Sequence, residues 1–164
     1  MRTIAIRDVI RQAMIAAAYV VLVLVFQFMS FEAVQFRIAE VLLILVFFDR
    51  KSIIGLSIGT FLANWLLSPF GIADAVFGTM ATVLAVVLMR ELKRHVWLAL
   101  LMPAIANGII IGWMLNLFLE LPFWETALWI FLGEAAVLYV LGLPLYLVLS
   151  KKQVFLDLFD DHAK

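Results

Sequence analysis

Apolar stretches separated by short polar connections make up almost the whole chain, near residues 13–28, 38–48, 52–67, 74–89, 96–118 and 126–149. A membrane-spanning helix takes about 20 mostly apolar residues. The pattern therefore predicts an all-α integral membrane protein, a single six-helix transmembrane domain over residues 1–164. The second stretch is too short to cross upright. It needs irregular backbone at one end, which a bilayer tolerates only where protein or a cavity surrounds it. The segment from Ser30 to Arg37 is therefore expected to be a loop folded back into the bundle.

Composition sharpens the class. The chain is 66% hydrophobic with a mean hydropathy of +1.14 and only 15% charged residues, against roughly 25% in soluble domains. Its length leaves room for the spans and little else. The absence of cysteine excludes disulfides, thiolate metal sites and cysteine nucleophiles. His95 and His162 flank the ends of spans and make no metal-ligand pair. Arg2, Arg7 and Arg11 ahead of an apolar run imitate a signal peptide, but no small-residue cleavage site follows. The run is expected to be a retained first helix.

Charge sets an orientation. Of the twelve Lys and Arg residues, all but Arg37 fall at the two termini or in the connections Asp49-Arg50-Lys51 and Arg90-Glu91-Leu92-Lys93-Arg94-His95. The positive-inside rule places both termini in the cytoplasm. The opposite connections, Ser68-Pro69-Phe70-Gly71 and Glu120-Leu121-Pro122-Phe123-Trp124, carry turn formers and interfacial aromatics. Glu32, Glu40, Asp74, Glu120, Glu125 and Glu134 leave the outer half acidic, with Arg37 as its one cation. Such a field favours a cationic or donor-rich solute over an anion. Glu32, Glu120 and Glu125 read as solvated surface acids.

The polar residues at depth are the candidate site, because charge inside a membrane is costly and marks function by default. Gln35-Phe36-Arg37-Ile38-Ala39-Glu40 joins an amide, a cation and a carboxylate. Glu134 lies about 13 Å along the last helix from Glu125 at 1.5 Å per residue and needs a partner or a proton. Asn107 sits at similar depth in the fifth helix. Asn64, near the outer end of the third, is level with Asp74 and Arg37 and suits either a solute contact or helix packing. Ser57 and Thr60 read as interhelical contacts, and Gly55, Gly59 and Ala63 as a close-packing stripe. Ala13 and Ala17 form a second small-residue stripe, on a helix with few polar groups, open to a partner protein. Most of the five tryptophans read as interfacial anchors, with one or two available to stack on a flat heterocycle.

Several activities lack their residues. There is no phosphate-binding glycine loop, no His-Glu metal motif, no serine elbow and no carboxylate pair with an evident base. No enzyme activity, cofactor, metal or nucleic-acid partner is expected. The halves do not repeat each other, which disfavours a self-contained transporter built from inverted repeats. A small solute binder without a motor needs partners.

Gln35-Phe36-Arg37-Ile38-Ala39-Glu40 with Val41-Leu42, then Asp74-Ala75-Val76-Phe77-Gly78-Thr79, Asn107-Gly108 and Leu132-Gly133-Glu134 resemble the QueT family of substrate-binding S components of energy-coupling factor (ECF) transporters. The resemblance spans nearly the whole chain, and the Gln-Phe-Arg-x-x-Glu segment is its most specific element. It implies a six-helix S-component bundle in a bacterial plasma membrane, with its first outer loop closing over the site. It also implies partners, a transmembrane coupling subunit and two ATPases that drive uptake, and it makes Ala13 and Ala17 the docking pair. QueT proteins are associated with queuosine precursors, deazaguanine bases of which one form carries an aminomethyl cation. Glu134 or Glu40 would then accept from ring N–H and amino groups, Asn107 or Gln35 would read the carbonyl edge, and Asp74 would meet a cationic group. Arg37 would hold the acids in register.

The chain departs from the family pattern at Ala39, where a serine is usual. Hydroxymethylpyrimidine or pyridoxine in the same fold therefore stays open. Outside transport, a membrane scaffold or small channel subunit would use the same polar groups only to specify packing.

Overall fold

The computed structural model describes residues 6–30 and 35–159. Arg2, Glu32, His162, Lys164 and the middle of the loop expected from Ser30 to Arg37 lie outside the described residues. The elements run α1 (Ile6–Val25), α2 (Gln27–Ser30), a 3₁₀ helix (Ile38–Phe47), α3 (Ser52–Leu67), α4 (Ile72–Glu91), α5 (Val96–Ala99), α6 (Leu101–Leu119), α7 (Phe123–Val137), a π-turn (Leu138–Gly142), α8 (Leu143–Leu149) and α9 (Gln153–Asp157). There is no strand among the described residues. Four helical stretches are long and apolar enough to cross a membrane: Ile6–Val25, Ile72–Glu91, Val96–Leu119 and Phe123–Leu149. Two shorter apolar helices, Ile38–Phe47 and Ser52–Leu67, fall where the remaining hydrophobic stretches were expected.

Neighbouring helices pack in chain order, α1 on α3, α3 on α4, α4 on α6 and α6 on α7, while the 3₁₀ helix touches α1, α3, α4, α7 and the π-turn. It is the hub of the bundle. Small residues let α1 and α3 meet: a Cβ at Gly59 would stand 2.8 Å from the Tyr19 Cβ and 3.0 Å from the Ala16 carbonyl oxygen. Gly55, Gly59 and Ala63 are thus internal packing positions, as their spacing predicted. α1 starts earlier than the hydrophobic pattern indicated, because its polar first turns are neutralised. Lys51 Nζ lies 2.7 Å from Asp8 Oδ2 and Arg11 Nη1 lies 3.2 Å from Asp49 Oδ2.

The winding of the second apolar stretch is what the sequence pattern did not resolve. Ten residues of 3₁₀ helix reach about 20 Å at about 2.0 Å per residue, further than an α-helix of equal length but short of the roughly 30 Å hydrocarbon core. Three residues per turn also stack every third side chain in one column. Glu40, Leu43 and Val46 form such a column, Arg37 caps the helix at its N-terminal end, and all four are fully buried. A long 3₁₀ run is uncommon in isolation. Here α1, α3, α4, α7 and the π-turn pack against it, and Arg90 Nη1 donates to the Val46 carbonyl at 3.0 Å, satisfying an acceptor near its last turn.

Candidate functional site

A polar core sits around the N-terminal half of the 3₁₀ helix. Arg37, Glu40, Asn64, Asn107 and Glu134 are fully buried, Asp74 is 2% exposed and Gln35 5%. The backbone brings residue 35 against α7 at Gly133, where an added Cβ would stand 2.7 Å from the Gln35 carbonyl oxygen. That contact seats the Gln35-to-Glu40 segment beside Glu134. On the other side, the Phe36 N–H donates to the Met29 carbonyl at 3.1 Å, drawing the segment back to the end of α2.

The polar groups join in pairs. Tyr19 on α1 donates its hydroxyl to Glu40 Oε1 at 2.5 Å, and Arg37 Nη1 stands 4.0 Å from the same oxygen. Asn107 on α6 donates to Glu134 Oε2 at 2.7 Å. Asn64 on α3 donates to the Asp74 carbonyl at 3.1 Å, across the α3–α4 turn. Arg37 interacts electrostatically with Asp74, Glu40 and Glu134 together. The Arg37 guanidinium thus stands against the Glu40 carboxyl, within electrostatic reach of Asp74 on α4 and Glu134 on α7.

Several oxygens of this core make no hydrogen bond. Among the described residues, Gln35 Oε1, Glu40 Oε2, Asn64 Oδ1, Asp74 Oδ1, Asn107 Oδ1 and Glu134 Oε1 are buried with no hydrogen-bond partner. All are acceptors. A buried acceptor left unmatched costs about 1–3 kcal/mol, and native interiors keep few of them. Oxygens left unmatched in this way are free to accept from N–H or O–H donors.

The sequence-predicted residues thus divide. Gln35, Arg37, Glu40, Asn64, Asp74, Asn107 and Glu134 are all buried in the bundle, with the electrostatics of Arg37 tying Asp74, Glu40 and Glu134 together. Ala13 and Ala17 are exposed and remote from it in character. The α1 face that meets α3 is the other one, with Gln12, Ala16 and Tyr19. All five tryptophans are exposed, from 45% at Trp129 to 83% at Trp124, so none is buried in the polar core.

Tyr19 escaped the sequence reading. Its signal was present: Asp8, Gln12, Ile15, Tyr19 and Val23 recur at three- and four-residue spacing, and all are buried. Thr60, read as a packing residue, lies beside the Tyr19 phenol.

Apolar helices closed around a buried, acceptor-rich core define an all-helical membrane protein with an internal polar site. The QueT transporter family model matches residues 9–151, and the chain belongs to that family. It is 30% identical over 148 residues, 81% of this chain and 86% of the relative, to the Queuosine precursor transporter QueT of Lactococcus lactis subsp. cremoris (strain MG1363). That relative is named as a transporter, not an enzyme. No solved structure matches the chain.

Proposed function

We propose that this chain is the substrate-binding S component of an ECF importer and that it captures a queuosine precursor, a deazaguanine base, for ATP-driven uptake. The observation that carries the reading is the set of unmatched acceptors in the buried core. A guanine-like edge offers a ring N–H and an amino group side by side, which carboxylate and carboxamide oxygens accept.

Glu40 Oε2 and Glu134 Oε1 receive those donors. The Asn107 amide nitrogen already serves Glu134, so of the two residues expected to read a carbonyl edge that role falls to Gln35, and Asn107 meets the solute through its oxygen, as Asn64 does. Asp74 holds an ammonium side group where the solute carries one, since three carboxyls outweigh one guanidinium. Arg37 keeps the acids from repelling one another apart. The relative's name and the family membership support the solute class.

The remaining parts of the reading rest on sequence and exposure. Both termini lie in the cytoplasm with six helical passes, the two shorter helices completing the four long ones. Ala13 and Ala17, exposed on α1, dock on a transmembrane coupling subunit, which two ATPase subunits drive.

The test is to purify the protein in detergent from cells grown in rich medium, denature it and identify the released small molecule by mass spectrometry. A deazaguanine is expected, and its loss from Arg37→Ala and Glu134→Ala variants that still fold. A pyrimidine or pyridine vitamer would reassign the solute within the same mechanism. A reproducibly empty protein, or undiminished binding by both variants, would sink the site as drawn.

A further inference from the structure

A second feature lies away from the polar core, at the basic end of the bundle. An open groove of about 410 Å³ runs between the start of the α5–α6 span and the last turns of the α7–α8 span. Arg94, His95 and Trp97 line it on one side, and Leu98, Leu143 and Leu147 supply aliphatic wall. No carboxylate is among its lining residues.

The groove is shaped by the fold. The π-turn Leu138–Gly142 directly precedes the wall residues Leu143 and Leu147; the extra residue in a π-turn widens the helix locally, and such turns recur at functional sites. Trp97 is 63% exposed and yet anchored. Tyr139 donates its hydroxyl to the Trp97 carbonyl at 2.5 Å, and the two rings stand 5.7 Å apart at 30°. An exposed, oriented tryptophan at the end of a span belongs at headgroup level.

We propose that this groove binds one anionic glycerophospholipid. Arg94 takes the phosphodiester, for which a guanidinium offers paired donors, and His95 donates beside it. Trp97 sits at the glycerol level, and an acyl chain lies along Leu98, Leu143 and Leu147. A free phosphate would leave the aliphatic wall unused. A zwitterionic lipid would bring its own cation toward Arg94 and lose much of the attraction. Basic pockets between helices at the membrane face are where anionic headgroups are recognised.

The experiment is native mass spectrometry of the full chain in neutral detergent, titrated with phosphatidylglycerol or phosphatidylcholine of identical chains, with inorganic phosphate as competitor. Wild type is expected to retain one phosphatidylglycerol with a roughly tenfold preference over phosphatidylcholine. An Arg94→Gln/His95→Gln double variant should lose that preference. An Arg50→Gln/Lys152→Gln double variant should keep it, since both cations are exposed and neither lines the groove.

Leu147→Asp places a carboxylate at a position 48% exposed and should also abolish the bound lipid, giving a second reading if the first variant does not fold. Equal retention of the two lipids would overturn the proposal. So would equal loss in the control variant, which would mean diffuse charge, or full displacement by phosphate, which would mean an anion site without a lipid.

Discussion

Gly133→Ala tests whether the closeness of the Gln35 segment to α7 is what assembles the binding site. A Cβ there would stand 2.7 Å from the Gln35 carbonyl oxygen, 3.0 Å from its carbon and 3.2 Å from its nitrogen, where ordinary contact begins at 3.4 Å. Every neighbour is backbone, so no side chain can swing aside. The segment itself must retreat from α7, and Arg37 and Glu40 follow because they are two and five residues along it. Overpacking of this kind costs about 1–3 kcal/mol.

If the strain appears in the bound state, affinity falls between about fivefold and about 150-fold at 1.4 kcal/mol per decade. Gly55→Ala is the matched control. Its Cβ would also stand 2.7 Å from a backbone oxygen, that of Gln12, but at the α1–α3 contact near the basic end. Both variants should lower the unfolding temperature of the empty protein, and only Gly133→Ala should weaken binding of the co-purified base in isothermal titration. Unchanged affinity in Gly133→Ala, or equal weakening in Gly55→Ala, would refute the reasoning.

Tyr19→Phe removes the 2.5 Å hydrogen bond to Glu40 Oε1; a hydrogen bond to a charged group contributes about 1.5–3 kcal/mol, so both thermal stability and solute affinity should drop, with affinity read by equilibrium dialysis. Asn107→Ala deprives Glu134 Oε2 of its 2.7 Å donor, at a cost of about 1–3 kcal/mol. Its binding should fall by about tenfold or more, and retained affinity would place the solute elsewhere. Arg90→Gln cuts the 3.0 Å bond to the Val46 carbonyl and should cost about 1 kcal/mol of stability in a denaturation series while leaving solute affinity within about twofold of wild type.

Much of the buried polar core could be read from the chain alone, for a physical reason. Burying a polar or charged group in a membrane is expensive wherever it falls, so Arg37, Glu40, Asp74, Asn107 and Glu134 stand out against their apolar surroundings without any knowledge of the fold. Helical rise put Asn107 at a depth similar to that of Glu134 and Asn64 level with Asp74, and the structure joins each pair by a hydrogen bond. Tyr19 did not stand out, because a tyrosine in an apolar helix is equally at home at an interface. Only the packing of α1 on α3 and the 3₁₀ helix turns it toward Glu40.

Local composition thus determined the membrane class, the positions of the apolar stretches, the basic end and the acid-rich core, since hydrophobicity and charge are properties of each segment by itself. Tertiary structure decided the rest. Whether residues 38–47 wind as an α- or a 3₁₀ helix is a small difference in local energy that surrounding contacts outweigh. That choice stacks Glu40, Leu43 and Val46 in one buried column. Which carboxyl oxygens meet a donor and which remain unmatched depends on partners far apart in sequence, Tyr19 with Glu40 and Asn107 with Glu134. The set of unmatched core oxygens exists only once those helices have come together.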